Sequence, residues 1–537
     1  MRVTFLPNHI IQETPAGANL LDLISRAGIV IDGSCRGQGR CGCCRVQIVS
    51  GDAGMPDVAE RKTLSAEDLA AGYRLACRVT VNDHLRVVLP NMTNADARKT
   101  RLVFMPEDFQ PENGGPGLGA AFDIGTTTVV CMVWDLAEGR LVDIEAATNP
   151  QSVYGADVIS RINYCGEATA NLAQMQRLVT ECFNGMLKQI CRRSHLERQS
   201  IVQAVVVGNT TMSHLFLGAN PATLAEAPFA PAFSGPQQRR AGDLGIEIAV
   251  DAPVLVLPNI AGHVGSDIVA GLMTSRLMDM PGCNVFIDMG TNGEVVLSDH
   301  GHSLACSTAA GPAFEGAAIF QGMRAASGAI EAVSIIDGVI TLDVIDDVKP
   351  MGICGSGLID AIACMLKSGL INSAGRLLDQ ETAAKKQVHP RLVDKLCKHQ
   401  GMPAFILWEG ETGEQVLITQ KDIREVQLGK GAIFSGIKIM LQIVGKTLAD
   451  VEKIYLAGAF GNYIKKESAL VIGLMPNIGV DDIISIGNSA GAGASMALLS
   501  QEECQRIISK VQSIDHVELA EFAGFQDEFM RAMAFPK

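Results

Sequence analysis

The sequence has no uninterrupted apolar run long enough to cross a membrane, although 47% of its 537 residues are hydrophobic. A membrane-spanning helix needs about 20 consecutive apolar residues. The stretch Met1–Ile10 also lacks the apolar core of a signal peptide. We therefore expect a cytoplasmic protein with no membrane partner.

Positive charge is also scarce, since 44 Lys and Arg residues stand against 58 Asp and Glu residues, for a net charge of −14. An acidic chain repels the phosphate backbone of nucleic acids, and the sequence has no local basic patch that would overcome the repulsion. Nucleic acid is therefore not an expected partner. The length of the chain predicts about three or four structural units.

Two common cofactor motifs are missing. No G-x-G-x-x-G follows a predicted strand, so neither a flavin nor a nicotinamide site is expected. The tripeptide Gly445-Lys-Thr447 approaches a Walker loop, but Met440 stands where that loop needs its first glycine. The segment also continues an amphipathic helix, and we reject it as a nucleotide site.

Four of the fifteen cysteines fall within ten residues, at positions 35, 41, 43 and 44. Most of the others stand singly in apolar segments, where a thiol is usually a small buried hydrophobe. The cluster has the spacing Cys35-x5-Cys41-x2-Cys44, and Cys77 is a distant fourth thiol. A plant-type [2Fe–2S] site uses C-x4-C-x2-C and a remote cysteine, so the first spacing here is one residue longer.

Three interpretations of this cluster compete. A zinc site would need two close pairs of cysteines, and Cys77 has no near partner in sequence. An unrelated set of structural thiols would not need the glycine-rich loop Arg36-Gly-Gln-Gly-Arg40, which lets the backbone approach a cluster closely. Cys43 is an alternative to Cys44, which we prefer because the x2 spacing places two thiolates on one side of the loop. The favoured interpretation is a [2Fe–2S] cluster held by Cys35, Cys41, Cys44 and Cys77, in a domain that resembles plant-type ferredoxins over residues 1–90.

Beyond a Pro- and Gly-rich linker at 91–118, the sequence changes to α/β patterning. Two strand–turn–strand motifs, Asp123-Ile-Gly-Thr-Thr-Thr128 and Asp288-Met-Gly-Thr-Asn-Gly-Glu294, share a pattern about 165 residues apart, which predicts two related lobes. We assign these lobes to 119–282 and 283–537. In each motif a strand-end carboxylate can hold Mg²⁺ through water, while turn N–H groups and Thr hydroxyls face a phosphate. The candidate catalytic carboxylates are Asp123 and Asp288, and the candidate nucleotide contacts are Gly125, Thr126, Thr127, Thr128, Gly290, Thr291, Asn292, Gly293 and Glu294.

Other turns fit such a nucleotide cleft with less support. For them an ordinary helix-start turn is an equal alternative, and they contribute Gly208, Asn209, Thr210, Gly311, Glu315 and Gly355 as candidate contacts. Asp157 is either an N-terminal partner of a helix dipole or a third catalytic residue, a carboxylate that orients water.

The paired hairpins resemble those of the superfamily of acetate and sugar kinases, heat-shock chaperones and actin. The segment Leu456-Ala-Gly-Ala-Phe-Gly-Asn462 is similar to the superfamily's adenosine-binding turn, which adds Gly458, Ala459, Gly461 and Asn462 to the candidate contacts. The expected fold is therefore multidomain, α+β and α/β, with a β-grasp ferredoxin-like domain, a linker and a two-lobed actin-like ATPase with a duplicated RNase H-like fold.

The whole arrangement resembles the reductive activators of corrinoid proteins. The resemblance implies ATP-dependent reduction of Co(II) to Co(I) in a corrinoid methyltransferase system, with a [2Fe–2S] cluster, ATP and Mg²⁺ as cofactors. It also implies a corrinoid protein as partner and a low-potential electron donor, either a ferredoxin or a flavoprotein, and it allows a homodimer.

Three alternatives stay open at this point. Activators of 2-hydroxyacyl-CoA dehydratases use the same superfamily fold, but they bridge one [4Fe–4S] cluster between two ATPase subunits, whereas these cysteines lie in a separate N-terminal domain. A redox-sensing module would bind nucleotide and a partner without net electron transfer. A small-molecule kinase would transfer phosphate to an added substrate.

Overall fold

The architecture comes from a computed structural model, which describes residues 1–6, 10–26, 39, 44–88, 105–112, 114–290, 292–316, 318–461 and 463–536. None of the helices in these ranges combines the length and the apolar character needed to cross a bilayer.

The N-terminal unit is built on a mixed five-stranded sheet. Alternate residues of its strands, among them Val3, Phe5 and Val87, point into one apolar core, as expected for a sheet with one covered face. The helix Leu20–Arg26 covers that face through Leu20 and Leu23. In sheet order the strands are Ile10–Glu13, Arg2–Leu6, Leu85–Val88, Arg45–Ser50 and Tyr73–Leu75, with a short pair Ala18–Asn19 and Thr80–Val81, and the other helices are Val58–Thr63, Ala66–Ala70 and the 3-10 turn Ala76–Arg78.

The first lobe of the α/β part has a six-stranded sheet. Three antiparallel strands are followed by two strands that add in parallel, and a sixth strand lies at the edge, antiparallel to the fifth. The central strands are apolar runs because helices cover both faces. In sheet order the strands are Arg140–Thr148, Thr128–Asp135, Leu118–Ile124, Ile201–Gly208, Pro253–Val256 and Gln237–Arg240, and the helices are Val158–Glu167, Thr169–Ser194, Thr210–Leu217, Ala241–Leu244 and Ser266–Ser275.

The second lobe repeats this arrangement. In both lobes the chain forms an antiparallel hairpin, adds a third antiparallel strand, and returns by a helical crossover to pair in parallel with the first strand. The prediction of two related lobes is therefore confirmed. In sheet order the strands are Ile483–Gly487, Val451–Ala457, Cys283–Met289, Gly293–Asp299, His302–Thr308 and Ile514–His516.

Two small sheets and most of the remaining helices complete the second lobe. The sheets consist of Val339–Val344, Ala329–Ile336 and Gly352–Ile353, and of Leu396–His399, Met402–Glu409 and Gln415–Thr419. The helices are Gly355–Lys367, Gln380–Lys385, Pro390–Val393, Gln420–Ile443, Gly458–Gly461, Lys466–Ile472, Gln501–Val511 and Phe525–Ala532.

Two helices pack against each other where the lobes meet. The helix Ser489–Leu499 follows a strand of the second lobe but packs back on the first lobe, where Trp134 Nε1 donates to Ser495 Oγ at 3.0 Å. Its partner is Ser266–Ser275. The two backbones approach so closely that a Cβ on Gly493 would lie 2.1 Å from the carbonyl oxygen of Ala270. Glycine at position 493 therefore sets the separation of the two helices.

Part of the predicted linker 91–118 is built into the α/β unit. Phe109 lies in an apolar core to which both lobes contribute, and the Glu112 carboxylate accepts hydrogen bonds from Ser500 Oγ and from the N–H groups of Gln501 and Glu502. Glu112 thereby satisfies N–H groups at the start of the helix Gln501–Val511, a role that carboxylates commonly take at helix N-termini.

The helix contact gives a paired prediction for two mid-helix glycines. Gly493→Ala should destabilise the protein by about 2 kcal/mol or more, because its methyl group has to push two backbones apart. Gly185→Ala, in the helix Thr169–Ser194, should stabilise it by about 0.5–1 kcal/mol, because in the described part of the chain no atom outside the helix's own backbone lies within 4 Å of the added Cβ. The thermal unfolding midpoints of the two full-length variants test this, and an unchanged midpoint for Gly493→Ala would contradict the packing described.

Candidate functional site

A cleft with a cavity volume of about 310 Å³ lies between the lobes, lined by both glycine hairpins. The hairpins meet because each follows the first strand of its lobe, and the two lobes face each other through the same end of their sheets. The strand ends thus deliver the first residues of both motifs, Asp123 and Asp288, to one space.

The first hairpin is closed by a backbone hydrogen bond within its own turn and is linked to a second turn by a side-chain hydrogen bond. The Gly125 N–H donates to the carbonyl of Thr128 at 2.9 Å and closes the turn. A Cβ on Gly125 would lie 2.6 Å from that same carbonyl oxygen, so the turn needs glycine. Asn209 Nδ2 donates to Thr126 Oγ1 at 3.0 Å, which links the hairpin to the turn after the strand Ile201–Gly208.

The second hairpin lies against the candidate adenosine-binding turn at Gly458. Asp288 and Glu294 face each other across the antiparallel strands, so their side chains share one face of the sheet. Gly458 has φ +87°, and a Cβ there would lie 2.7 Å from an Asp288 carboxylate oxygen. Glycine at 458 therefore leaves room for the Asp288 carboxylate beside the turn.

Four half-buried carboxyl groups converge on the cleft, at Asp123, Asp267, Asp288 and Glu294. Burial, with the repulsion of Asp267 and Asp288 added, raises the pKa of Asp123 to about 8. Burial raises the pKa of Asp267 to about 6, and burial together with Asp267 raises that of Asp288 to about 7. The pKa of Glu294 lies well above its usual range for the same reasons. These groups cannot all ionise near neutral pH without a cation among them.

The donor set fits a nucleotide that brings its own cation. Within the described ranges, no three His, Cys, Asp or Glu residues lie close enough to ligate a metal ion together. Carboxylates that act through water, with phosphate oxygens as direct ligands, are the usual arrangement for Mg²⁺. Two buried polar atoms in the cleft, Asn488 Nδ2 and Ser489 Oγ, have no hydrogen-bond partner among the described residues. The Asn488 amide faces Asp123 and partly offsets the rise of its pKa, without reaching ordinary hydrogen-bond distance.

The structure brings most of the predicted nucleotide residues together. Those lining the cleft are Asp123, Gly125, Thr126, Thr127, Thr128, Asn209, Thr210, Asp288, Gly290, Asn292, Glu294, Glu315, Gly355 and Gly458. Thr291 and Asn462 lie outside the described residues. The predicted residues that are described and do not line the cleft are Asp157, Gly208, Gly293, Gly311 and Gly461, whereas the side chain of Ala459 lies outside the described part of the chain.

Asp157 takes the capping role rather than a place in the cleft. It is the N-cap of the helix Val158–Glu167, where its Oδ1 accepts from the Ser160 N–H and its Oδ2 from the Ser160 hydroxyl, both at 2.8 Å. Of the two alternatives for this residue, the structure thus favours the helix partner over the water-orienting carboxylate.

Sequence reasoning missed Asp267, His263 and Asn488, all of which line the cleft. Asp267 and Asn488 stand at the starts of the two helices that meet between the lobes. The search for Gly-Thr turns after strands could not find them. The signal present in the sequence was an acidic or amide side chain at a helix start directly after a glycine-containing turn, Gly265-Ser-Asp267 and Gly487-Asn488.

The N-terminal unit places two of the four candidate cluster ligands side by side. Cys44 and Cys77 are 1% and 7% exposed, and their sulfur atoms lie 3.3 Å apart, well beyond the bond of a disulfide. One precedes the strand Arg45–Ser50 and the other lies in the turn Ala76–Arg78. Two buried thiols that converge in this way fit a shared iron site. Cys35, Cys41 and the alternative ligand Cys43 lie outside the described residues.

Family models cover almost the whole chain. A "2Fe-2S iron-sulfur cluster binding domain" matches residues 3–82. The "RACo middle region" matches 118–280, which is the unit described above as the first lobe, and the "C-terminal domain of RACo the ASKHA domain" matches 282–537.

Characterised relatives match along most of this length. The chain is 37% identical over 433 residues to "Corrinoid activation enzyme RamQ" of Eubacterium limosum, which covers 80% of this chain and 72% of that protein. The chain belongs to the family of reductive activators of corrinoid proteins. A second member, the "[Co(II) methylated amine-specific corrinoid protein] reductase" of Methanosarcina barkeri, is 28% identical over 307 residues, 52% of this chain and 51% of that protein.

A solved structure of the family has the same fold. The "Reductive activator for corrinoid,iron-sulfur protein" matches with a TM-score of 0.70 and 29% identity, over 100% of this chain and 98% of that one. The expected fold class, a ferredoxin-like domain followed by a two-lobed ATPase-type unit, is thereby confirmed.

The carboxylate cluster makes the stability of the nucleotide-free protein depend on pH. Because the folded-state pKa of Asp267 is raised from 3.8 to about 6, its contribution to stability is full below about pH 4 and is lost as the pH rises through 6. Asp267→Asn removes this penalty and should stabilise the nucleotide-free protein at pH 8 by on the order of 1–3 kcal/mol. Unfolding midpoints of variant and wild type should diverge as the pH rises from about 4 to about 6, and the difference should then stay constant up to pH 8.

Asp251→Asn is the matched control, because the Asp251 side chain is 82% exposed. It should show no such divergence. If Asp267→Asn behaved like this control, the carboxylates would not be crowded as described.

The substitution Asp157→Asn, which keeps the size of the side chain, distinguishes the two roles considered for this residue. Asp157→Asn retains a good N-cap, so both the unfolding midpoint and the rate of nucleotide hydrolysis should stay near the wild-type values. A large fall in hydrolysis with an unchanged midpoint would instead favour the water-orienting role.

Proposed function

We propose that this chain uses ATP to drive the transfer of one electron from a [2Fe–2S] cluster in its N-terminal domain to the cobalt of a corrinoid protein. Co(II) gains that electron and becomes Co(I), which returns an inactive methyl carrier to use. The observation that carries the proposal is the presence in one chain of a buried pair of cluster-type thiols and an interlobe cleft with four carboxyl groups.

The cleft residues would hold ATP from both lobes. Thr126, Thr127 and Thr128 line the cavity from the first lobe and Gly290 lines it from the second, and the N–H groups and hydroxyls of these turns would contact the phosphates. Asp123 and Asp288 would hold Mg²⁺ through water, and this positive charge would allow the crowded carboxylates to ionise. A nucleotide that is bound by both lobes would favour one arrangement of the lobes over another.

Asp267 is the best-placed candidate to orient the attacking water. It is half-buried and lines the cleft, and the start of its helix is fixed because Ser266 Oγ donates to the carbonyl of Gly208 at 3.0 Å and accepts from the Gly208 N–H at 3.1 Å. A carboxyl group whose pKa lies near the working pH suits a proton acceptor. Asp267→Asn should therefore lower ATP turnover by about 100-fold or more.

The N-terminal domain would supply single electrons at low potential when its cluster is bound, and plant-type clusters lie near about −400 mV. Cys44 and Cys77 would be two of the ligands, and both belong to the buried apolar core of the N-terminal unit. The donor that reloads this domain would be a ferredoxin or a flavoprotein of low potential. A homodimer is compatible with this scheme and is not required by it.

The test uses protein purified without oxygen. The reduced, cluster-loaded protein is mixed with a Co(II) corrinoid methyl-transfer protein, with and without Mg·ATP, and Co(I) is followed by its visible spectrum. We expect a [2Fe–2S] signal by electron paramagnetic resonance and Co(I) only when Mg·ATP is present. Asp267→Asn is the matched variant, because it should retain the cluster and lose ATP-dependent Co(I) formation.

Three outcomes would count against the proposal in different ways. A cluster signal without Co(I) would direct attention to another client or to a redox-sensing module. Phosphate on an added small molecule would indicate a kinase. Absence of the cluster would remove the electron-transfer step altogether.

A further inference from the structure

The first phosphate hairpin is tied to one neighbouring segment, Asn149–Arg161, by hydrogen bonds to three successive carbonyls. The Asn149 N–H donates to the carbonyl of Thr127 at 2.7 Å, and Asn149 Nδ2 donates to that of Gly125 at 2.8 Å. Arg161 Nη2 donates to the carbonyl of Thr126 at 2.5 Å. A shift of the hairpin on binding phosphate would therefore be felt by this segment at three points.

The same segment is rigid between its ends. The Arg161 side chain is 0% exposed, and besides the hairpin it holds the segment's own turn, since Nε donates to the carbonyl of Gly155 at 2.9 Å and Nη1 to Gln151 Oε1 at 3.3 Å. Gln151 Nε2 donates in turn to the carbonyl of Met175 at 3.0 Å. A fully buried guanidinium with this network is a stiff connection, because each of its bonds is shielded from water.

The outer end of the segment contacts the N-terminal domain. Val153, in the 3-10 turn Pro150–Tyr154, packs against the apolar core formed by residues of the N-terminal unit. That core includes both Cys44 and Cys77. A continuous path of contacts therefore runs from the phosphate hairpin through Arg161 and Val153 to the core that holds two candidate cluster ligands.

We propose that Asn149–Arg161 is a coupling segment, through which nucleotide binding in the cleft changes the reduction potential of the cluster in the N-terminal domain. Arg161 and Val153 are the positioning residues of this segment. The inference rests on the proposed function, because it needs both a nucleotide in the cleft and a cluster in the N-terminal domain. Coupling of this kind is reciprocal, so nucleotide changes the reduction potential and reduction changes the nucleotide affinity by the same factor.

The experiment measures this factor in the cluster-loaded full-length protein. The affinity for the Mg²⁺ complex of a non-hydrolysable ATP analogue is determined by calorimetry with the oxidised and with the dithionite-reduced protein, and the midpoint potential is determined with and without the analogue. For the wild type we expect the two affinities to differ by about five-fold or more. A ten-fold difference corresponds to a potential shift of about 59 mV for one electron.

Val153→Ala is the decisive variant, since it trims the contact without touching the cleft. The ratio of the two affinities should fall towards one, while the affinity of the oxidised protein stays close to the wild-type value. Val153→Ile, which keeps the apolar contact, should restore the ratio. Ile159→Ala is the matched control, because Ile159 is a β-branched residue on the adjoining helix that is 41% exposed, and its ratio should equal that of the wild type.

The outcomes separate this inference from the proposed function. A wild-type ratio of one, or a Val153→Ala variant that keeps the wild-type ratio, would overturn the coupling segment and leave the proposed function standing. A wild type that binds no nucleotide or forms no cluster would overturn the proposed function and the inference with it. Loss of the ratio in Val153→Ala, with recovery in Val153→Ile, would support the coupling segment.

Discussion

The crowding of four carboxyl groups in the interlobe cleft is the constraint on which the rest of the structure depends. Each lobe contributes two of them, Asp123 and Asp267 from the first and Asp288 and Glu294 from the second. Burial and mutual repulsion hold their pKa values above the usual range, so the empty cleft is electrostatically unfavourable near neutral pH. A ligand that carries a divalent cation lowers this electrostatic cost. It can do so only if the two lobes hold the ends of their strands close together.

The two helices between the lobes meet that requirement. Ser266–Ser275 carries Asp267 at its start, and Ser489–Leu499 carries Asn488 just before it, so the elements that join the lobes also deliver polar groups to the cleft. The relative position of the lobes and the chemistry of the cleft are thus set by the same pair of helices.

Much of this was accessible from sequence, and the limits have physical reasons. The hairpins at Asp123 and Asp288 could be predicted because a strand-end carboxylate followed by a glycine turn is a local pattern. Asp267 could not, because its role comes from a helix start brought to the cleft by tertiary packing. Asp157 was a candidate for the water-orienting carboxylate from its sequence position, but both of its carboxylate oxygens accept hydrogen bonds from Ser160. The cysteine spacing predicted the cluster type, whereas the contact of Val153 with the N-terminal core needed the fold.

The close approach at Gly493 also limits how this protein can evolve. The atoms that a side chain at position 493 would contact belong to the backbone of Ala270. Substitution of residue 270 does not remove these backbone atoms. A compensating exchange at position 270 is therefore not available, unlike the paired changes that ordinary core contacts tolerate. Position 493 should remain glycine in any relative that keeps the two helices at this distance.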